Sequence, residues 1–186
     1  MENKSLKQII ANRLEKLDKI RQLGVNPYPY EFNVTCSTSD INKDSVDKKV
    51  SVAGRVMSLR KMGKAAFANI QDASGRVQLY IARDDVGEDN YSLFKLVDIG
   101  DFIGIDGVVF ITKTDALTVK AEKVTVLSKN LRPIPDVKEK DGEKYNSVSD
   151  KELRYRKRYI DMIINPETKD NYIKRFKIIN SIREFL

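Results

Sequence analysis

Residues 54–85 read GRVMSLRKMGKAAFANIQDASGRVQLYIARDD, and the alternation inside this stretch decides the fold. Apolar side chains recur at every second position, the period of a strand whose two faces differ. Val50, Val52 and Val56 open a first strand that continues toward Leu59, and Met62-Gly63-Lys64 supplies a turn. Ala66, Ala68 and Ile70 alternate with Phe67, Asn69 and Gln71 in a second strand. Ala73-Ser74-Gly75 turns the chain again, and Val77, Leu79 and Ile81 alternate with Gln78 and Tyr80 in a third.

A turn centred on Ala73 and Ser74 fixes the register of the second hairpin. Gln71 then faces Arg76, Asn69 faces Gln78 and Phe67 faces Tyr80, while Ala68 faces Leu79 and Ile70 faces Val77. One face is apolar; the other collects Phe67, Asn69, Gln71, Arg76, Gln78 and Tyr80. An aromatic ring on a polar face gains little from folding, but an unpaired base stacks on such a ring for about 1–3 kcal/mol, whatever its identity. Gln78 lies diagonal to Phe67, and diagonal neighbours sit about 7–8 Å apart, within reach of a stacked base's edge. Its amide offers a donor and an acceptor, which suits a uracil edge carrying both. Arg60 could add a phosphate contact or a guanidinium plane. The plainer readings are that Phe67 packs beneath the first helix or a loop and that Gln78 is a solvated strand residue.

Downstream, Asp89 is expected to cap a short helix from Asn90 to about Val97, ended by Gly100. Two further strands follow at roughly 101–111 and 116–127, joined by a turn at Lys113-Thr114-Asp115. Five short strands with one helix between the third and fourth is the order of the oligonucleotide/oligosaccharide-binding (OB) barrel, which binds oligomers on the face of its second and third strands. The expected class is therefore mainly β with helical extensions.

Upstream, Ser5-Leu6-Lys7-Gln8 fits a capping box. Leu6, Ile10, Leu14 and Leu17 follow at helical spacing until Gly24 and Pro27. The helix is about five turns long, with Arg13, Lys16, Lys19 and Arg21 off the apolar seam. Residues 25–49 read as irregular, so 1–49 form a helix and a connecting segment and 50–128 the barrel. Pro133, Pro135 and a mixed-charge run mark 129–150 as a linker. Asp150 is expected to cap a helix reaching about Ile163. Asn165-Pro166 breaks it and starts a final helix, with Pro166 suited to the first turn.

Composition excludes several chemistries. The chain has no histidine and one cysteine, Cys36, so neither a zinc site, a Ser-His-Asp triad nor an internal disulfide can be built from it. No run of about 18 apolar residues is present, and MENKSLKQII lacks a signal core, which makes a cytoplasmic location the default. The net charge is +7. Residues 50–128 nevertheless carry ten basic and ten acidic groups. Within them Arg55, Arg60, Lys61 and Lys64 occur without an acid, while seven acids fall between Asp84 and Asp106. A polyanion would be steered to the basic end.

Residues 54–85 closely resemble the anticodon-binding domain of lysyl-tRNA synthetases. NRLEKLDKIRQLGVNPYPYEF (12–32) and ELRYRKRYIDMIINPE (152–167) resemble the same family, in the same order. The resemblance implies that Phe67 stacks on the central anticodon uridine, that Gln78 hydrogen-bonds its edge and that Arg60 also contacts the anticodon. Asn69, Arg55 and Lys64 complete the expected binding set. The MGK turn favours the lysyl family over its aspartyl relatives. One position departs: where the family commonly has Thr-x-x-Gly-Glu-Leu-Ser/Thr, with the glutamate facing an outer anticodon base, Ala116 replaces the glutamate and Asp115 precedes it.

NYIKRFKIINSIREFL (171–186) looks like the beginning of class II motif 1, the helix that builds the dimer interface. Residues 151–186 are thus expected to begin a catalytic domain whose motifs 2 and 3 are missing. The expectation is a non-catalytic front part with no catalytic residue and no metal site, from a homodimeric, ATP- and Mg²⁺-dependent ligase acting on lysine tRNA. Rival readings are a generic single-stranded nucleic-acid-binding OB protein, the anticodon domain of an aspartyl or asparaginyl relative, or a dimerisation element.

Overall fold

A computed structural model describes residues 5–135, 137–140, 143–146 and 151–186. They fall into two compact units, Met1–Pro133 and Ile134–Leu186.

The first unit is built on a closed barrel. Strands β1 (Lys49–Met62), β2 (Ala65–Gln71), β3 (Arg76–Ala82), β4 (Phe102–Ile111) and β5 (Leu117–Ser128) pair in the order β1-β2-β3-β5-β4, and β4 returns to β1. All neighbours are antiparallel except β3 and β5. Closure removes the exposed edges that a five-stranded open sheet would leave. The inward residues are those the alternation selects, with Val52, Val56, Ala66, Ile70, Leu79, Ile81, Ile103, Ile105, Val109, Val119 and Val126 buried.

Between β3 and β4 lie two helices rather than one, α2 (Arg83–Val86) and α3 (Glu88–Lys95). Gly87, with φ +82°, separates them and stands at the N-cap of α3. Asp89 therefore sits inside the first turn, where its charge still complements the helix N-terminus, rather than at the cap. Tyr91, Phe94 and Val97 pack into the barrel core, and a fully buried phenylalanine contributes about 1.5–3 kcal/mol.

Helix α1 (Leu6–Gln22) has the expected Ser5/Gln8 capping box, with both reciprocal hydrogen bonds formed. Its buried face differs from the leucine pattern. Arg13, Leu17 and Ile20 are buried, while Leu6 and Leu14 are 53% and 42% exposed. Arg13 and Lys16, expected on a free basic face, instead anchor the helix. Arg13 donates to the carbonyls of Asn130 (2.7 Å) and Ile99 (3.1 Å), and Lys16 pairs with Asp98. Lys129, at the start of the expected linker, is fully buried and pairs with both Asp98 and Asp101 at 2.6 Å. Residues 129–133 therefore belong with the barrel.

The second unit contains a hairpin, β6 (Val137–Lys140) with β7 (Glu143–Asn146), inside the stretch expected to be a linker. Three helices follow: α4 (Lys151–Arg156), α5 (Arg158–Ile164) and α6 (Pro166–Phe185). The single helix expected to Ile163 is broken at Lys157, whose ψ of +51° is not helical. Its expected cap, Asp150, lies outside the described residues. Pro166 opens α6, as expected. Asp161 is buried and accepts from Arg154 Nε at 2.9 Å and Asn165 Nδ2 at 2.6 Å, which fastens the α5–α6 corner. Helix α6 has no buried residue, and Phe176 and Ile178 are about three-fifths exposed.

Candidate nucleic-acid interface

The β2–β3 register is the one read from the turn: Gln71–Arg76, Asn69–Gln78 and Phe67–Tyr80 face one another, as do Ala68–Leu79 and Ile70–Val77. Gln78 is therefore diagonal to Phe67 on the outer face. Phe67 is half-buried against Tyr80, with ring centroids 5.1 Å apart, and Tyr80 meets Phe110 edge-on at 6.1 Å. Phe67 is thus neither solvated alone nor lost to the core; it ends a row of three aromatics that includes Phe110 of β4.

Strand β1 joins this face through a bulge. The pairing passes from Val56–Ile70 to Ser58–Asn69, so Met57 is the extra residue. An extra residue reverses the parity of everything after it. Val56 faces the core with Ile70, yet Ser58 and Arg60 come out beside Asn69 and Phe67. Arg60 pairs directly opposite Phe67 and its side chain is exposed. The fold therefore brings Arg60, Phe67, Asn69 and Gln78 together.

Two anchors hold the ends of this surface. At the β1–β2 turn, Gly63 adopts φ +66°, its carbonyl accepts from Tyr91 Oη at 2.6 Å, and the Lys64 carbonyl accepts from Arg83 N. At the β2–β3 turn, Asp72 accepts from Thr38 N and Oγ1, Ser74 N and Oγ, and Gly75 N. Burial acts to raise the Asp72 pKa, but these donors outweigh it and hold the carboxyl well below the usual carboxylate range. Thr38 belongs to the stretch read as irregular; it lies in a short 3₁₀ turn that clasps the hairpin.

The basic end is smaller than composition suggests. Arg55 sits opposite Gln71, about 13 Å along β2 from the Phe67 row. Its guanidinium lies 4.4 Å above the Phe102 ring and contacts the Gly100 carbonyl at 3.4 Å, and burial lowers its pKa. Lys61 donates to the carbonyls of Lys95 and Val97 and is likewise lowered, chiefly by burial. Arg60 and Lys64 are exposed; Lys61 is exposed over the residue as a whole, but its Nζ is tied to those two carbonyls. The acidic flank is also partly internal, since Asp98 and Asp101 neutralise Lys129.

At the departing position, Asp115 lies in the β4–β5 turn with φ +57°, a left-handed conformation that aspartate tolerates better than most residues. It precedes β5, so the alternation of strand faces does not govern it. Ala116 brings no carboxylate to this place: its N–H donates to Thr112 Oγ1 and its carbonyl accepts from Thr112 N. The sequence reading missed Ser58 and Thr118, which flank the Asn69–Gln78 row. Asn69 Nδ2 donates to Ser58 Oγ at 2.8 Å, and Thr118 Oγ1 donates to Gln78 Oε1 at 2.9 Å. Only the strand pairing reveals them, because both lie on strands other than the hairpin.

Residues 50–127 match the family described as OB-fold nucleic acid binding domain, tRNA_anti-codon. The barrel thus has the OB fold that this family describes. The whole chain is also similar to lysine–tRNA ligases. It is 43% identical to that of Carboxydothermus hydrogenoformans over 100% of the chain, and 46% identical to that of Thermoanaerobacter pseudethanolicus over 97%. The chain spans 37% and 36% of the length of these curated relatives. The match spans the barrel almost from end to end, β1 to β5. Among the described residues no helix is long and apolar enough to cross a membrane, and no cluster of three or more His, Cys, Asp or Glu could hold a metal ion.

Proposed function

We propose that the OB domain recognises the uridine-rich anticodon of lysine tRNA, for a protein that joins lysine to that tRNA using ATP and Mg²⁺. The observation that carries this reading is the outer-face grouping of Phe67, Gln78 and Arg60, in the registers Phe67–Tyr80, Asn69–Gln78 and Arg60–Phe67. Phe67 supplies the stacking surface for the central base, Gln78 reaches its edge and Arg60 meets the backbone beside it. Asn69 lies on the same row as Gln78, and Lys64 adds charge at the turn. Arg55 serves the site only indirectly, by holding β1 against Phe102. The relatives' shared name and the full coverage of this chain support lysine as the amino acid.

The remaining assignments rest on the same reading. Residues 151–186 begin the catalytic domain, ATP and Mg²⁺ act there rather than on the barrel, and the exposed apolar side chains of α6 pair two copies in a cytoplasmic homodimer. The test is a titration of anticodon stem-loops whose central uridine is kept or replaced by cytidine, adenosine or guanosine. Preference for the uridine loop is the expected result. Equal binding of all four loops supports a generic single-strand binder and contradicts the proposal.

A further inference from the structure

The row across the middle of the binding face runs Ser58, Asn69, Gln78, Thr118, with each residue paired to the next. An isolated asparagine or glutamine amide can rotate by half a turn, exchanging donor and acceptor at little cost. Here the buried hydroxyl of Thr118 removes that freedom from Gln78. Thr118 is fully buried and has one proton to donate. Its nearer acceptor is Gln78 Oε1 at 2.9 Å; the Ala116 carbonyl is farther, at 3.2 Å, and is already served by Thr112 N. Gln78 therefore keeps its oxygen toward β5 and its Nε2 donors away from it. At the other end, Asn69 Nδ2 donates to Ser58 Oγ at 2.8 Å, but that exposed hydroxyl can donate as well as accept, so it positions Asn69 without fixing its polarity.

The consequence is a fixed donor in the centre of the row, Gln78 Nε2, beside an amide, Asn69, that can turn to suit the base. Among the described residues Gln78 Nε2 has no hydrogen-bond partner. Uracil carries a carbonyl oxygen at position 4, which accepts from Gln78 Nε2. Cytosine carries an amino group at that position, whose hydrogens face the same donor repulsively.

Resting on the proposed anticodon reading, we propose that Thr118 is a positioning residue that locks the polarity of Gln78, aims its Nε2 donor at position 4 of the central base and thereby sets the preference for uracil over cytosine. Phe67 supplies affinity that is indifferent to base identity; the locked amide supplies the choice.

The experiment measures binding of stem-loops carrying central uridine or cytidine to the full chain, its Thr118→Val and Thr118→Ser variants, and Phe67→Ala. Valine keeps the branched shape of threonine and removes the hydroxyl. Wild type is expected to favour uridine by about tenfold or more, the scale of a good paired base contact. Thr118→Val should bring the ratio to within about twofold, and Thr118→Ser should restore it. Thermal melting of each variant establishes that it is folded. A Thr118→Val protein that is folded and keeps the full uridine preference overturns the proposal while leaving the anticodon reading intact. A wild-type protein with no preference, and no loss of binding in Phe67→Ala, overturns both.

Discussion

At the scale of single residues, the proposed binding face depends on where each cation points. Of four basic residues grouped in sequence before position 71, Arg55 and Lys61 are bonded to backbone carbonyls and Arg60 and Lys64 stay exposed. Each phosphate neutralised on a single strand contributes about 0.7 to the slope of log affinity against log salt. Arg60→Ala is therefore expected to weaken binding of all stem-loops alike and lower that slope by about 0.7, measured by titration at several salt concentrations. Lys61→Ala should leave the slope unchanged. Phe67, Gln78 and Asn69 were legible from alternation and one turn, because the β2–β3 hairpin is regular. Arg60's place opposite Phe67 was not derivable from alternation, since the Met57 bulge reverses parity and nothing in the residue types announces it.

At the scale of elements, α1 is fixed to the barrel by charge. The leucine spacing predicted a seam through Leu6, Ile10, Leu14 and Leu17, but Arg13 lies on the buried face because two backbone carbonyls await its guanidinium. Sequence periodicity cannot show this, as the acceptors lie more than eighty residues away. Lys129 is the counterpart within the barrel. Removing one partner of a buried ion pair leaves the other uncompensated, which costs about 3–5 kcal/mol. Lys129→Met should lower the urea-measured stability by that order, with Asp101 stranded in the core; a change under about 1 kcal/mol would contradict the placement. The carboxylates give a pH dependence. Burial acts to raise the Asp98 pKa, but hydrogen bonds and charge from Lys129 and Lys16 outweigh it, and its pKa, like that of Asp72, lies below the ordinary value. A depressed carboxylate contributes fully above its unfolded pKa, about 3.9, and loses that contribution as pH falls toward the folded value. Stability should therefore decline below about pH 4, and Asp72→Asn should flatten the decline in acid-unfolding curves.

For the whole molecule, the barrel order, the presence of helix after β3 and the outer-face pairing were readable from sequence, because β2 and β3 alternate without a break and the other strands do so over part of their length. The hairpin within 137–146 and the break at Lys157 were hidden, since charged residues satisfy strand, turn and linker equally well. In the proposed function, affinity for a single-stranded loop rests on one aromatic platform rather than on bulk charge. The most direct test is the affinity of a uridine-centred anticodon stem-loop for the wild-type chain and for Phe67→Ala, with folding of both verified by thermal melting. Loss of the platform should cost about 1–3 kcal/mol, a weakening of about 5- to 150-fold. A folded Phe67→Ala protein that binds the loop as tightly as wild type would contradict the account.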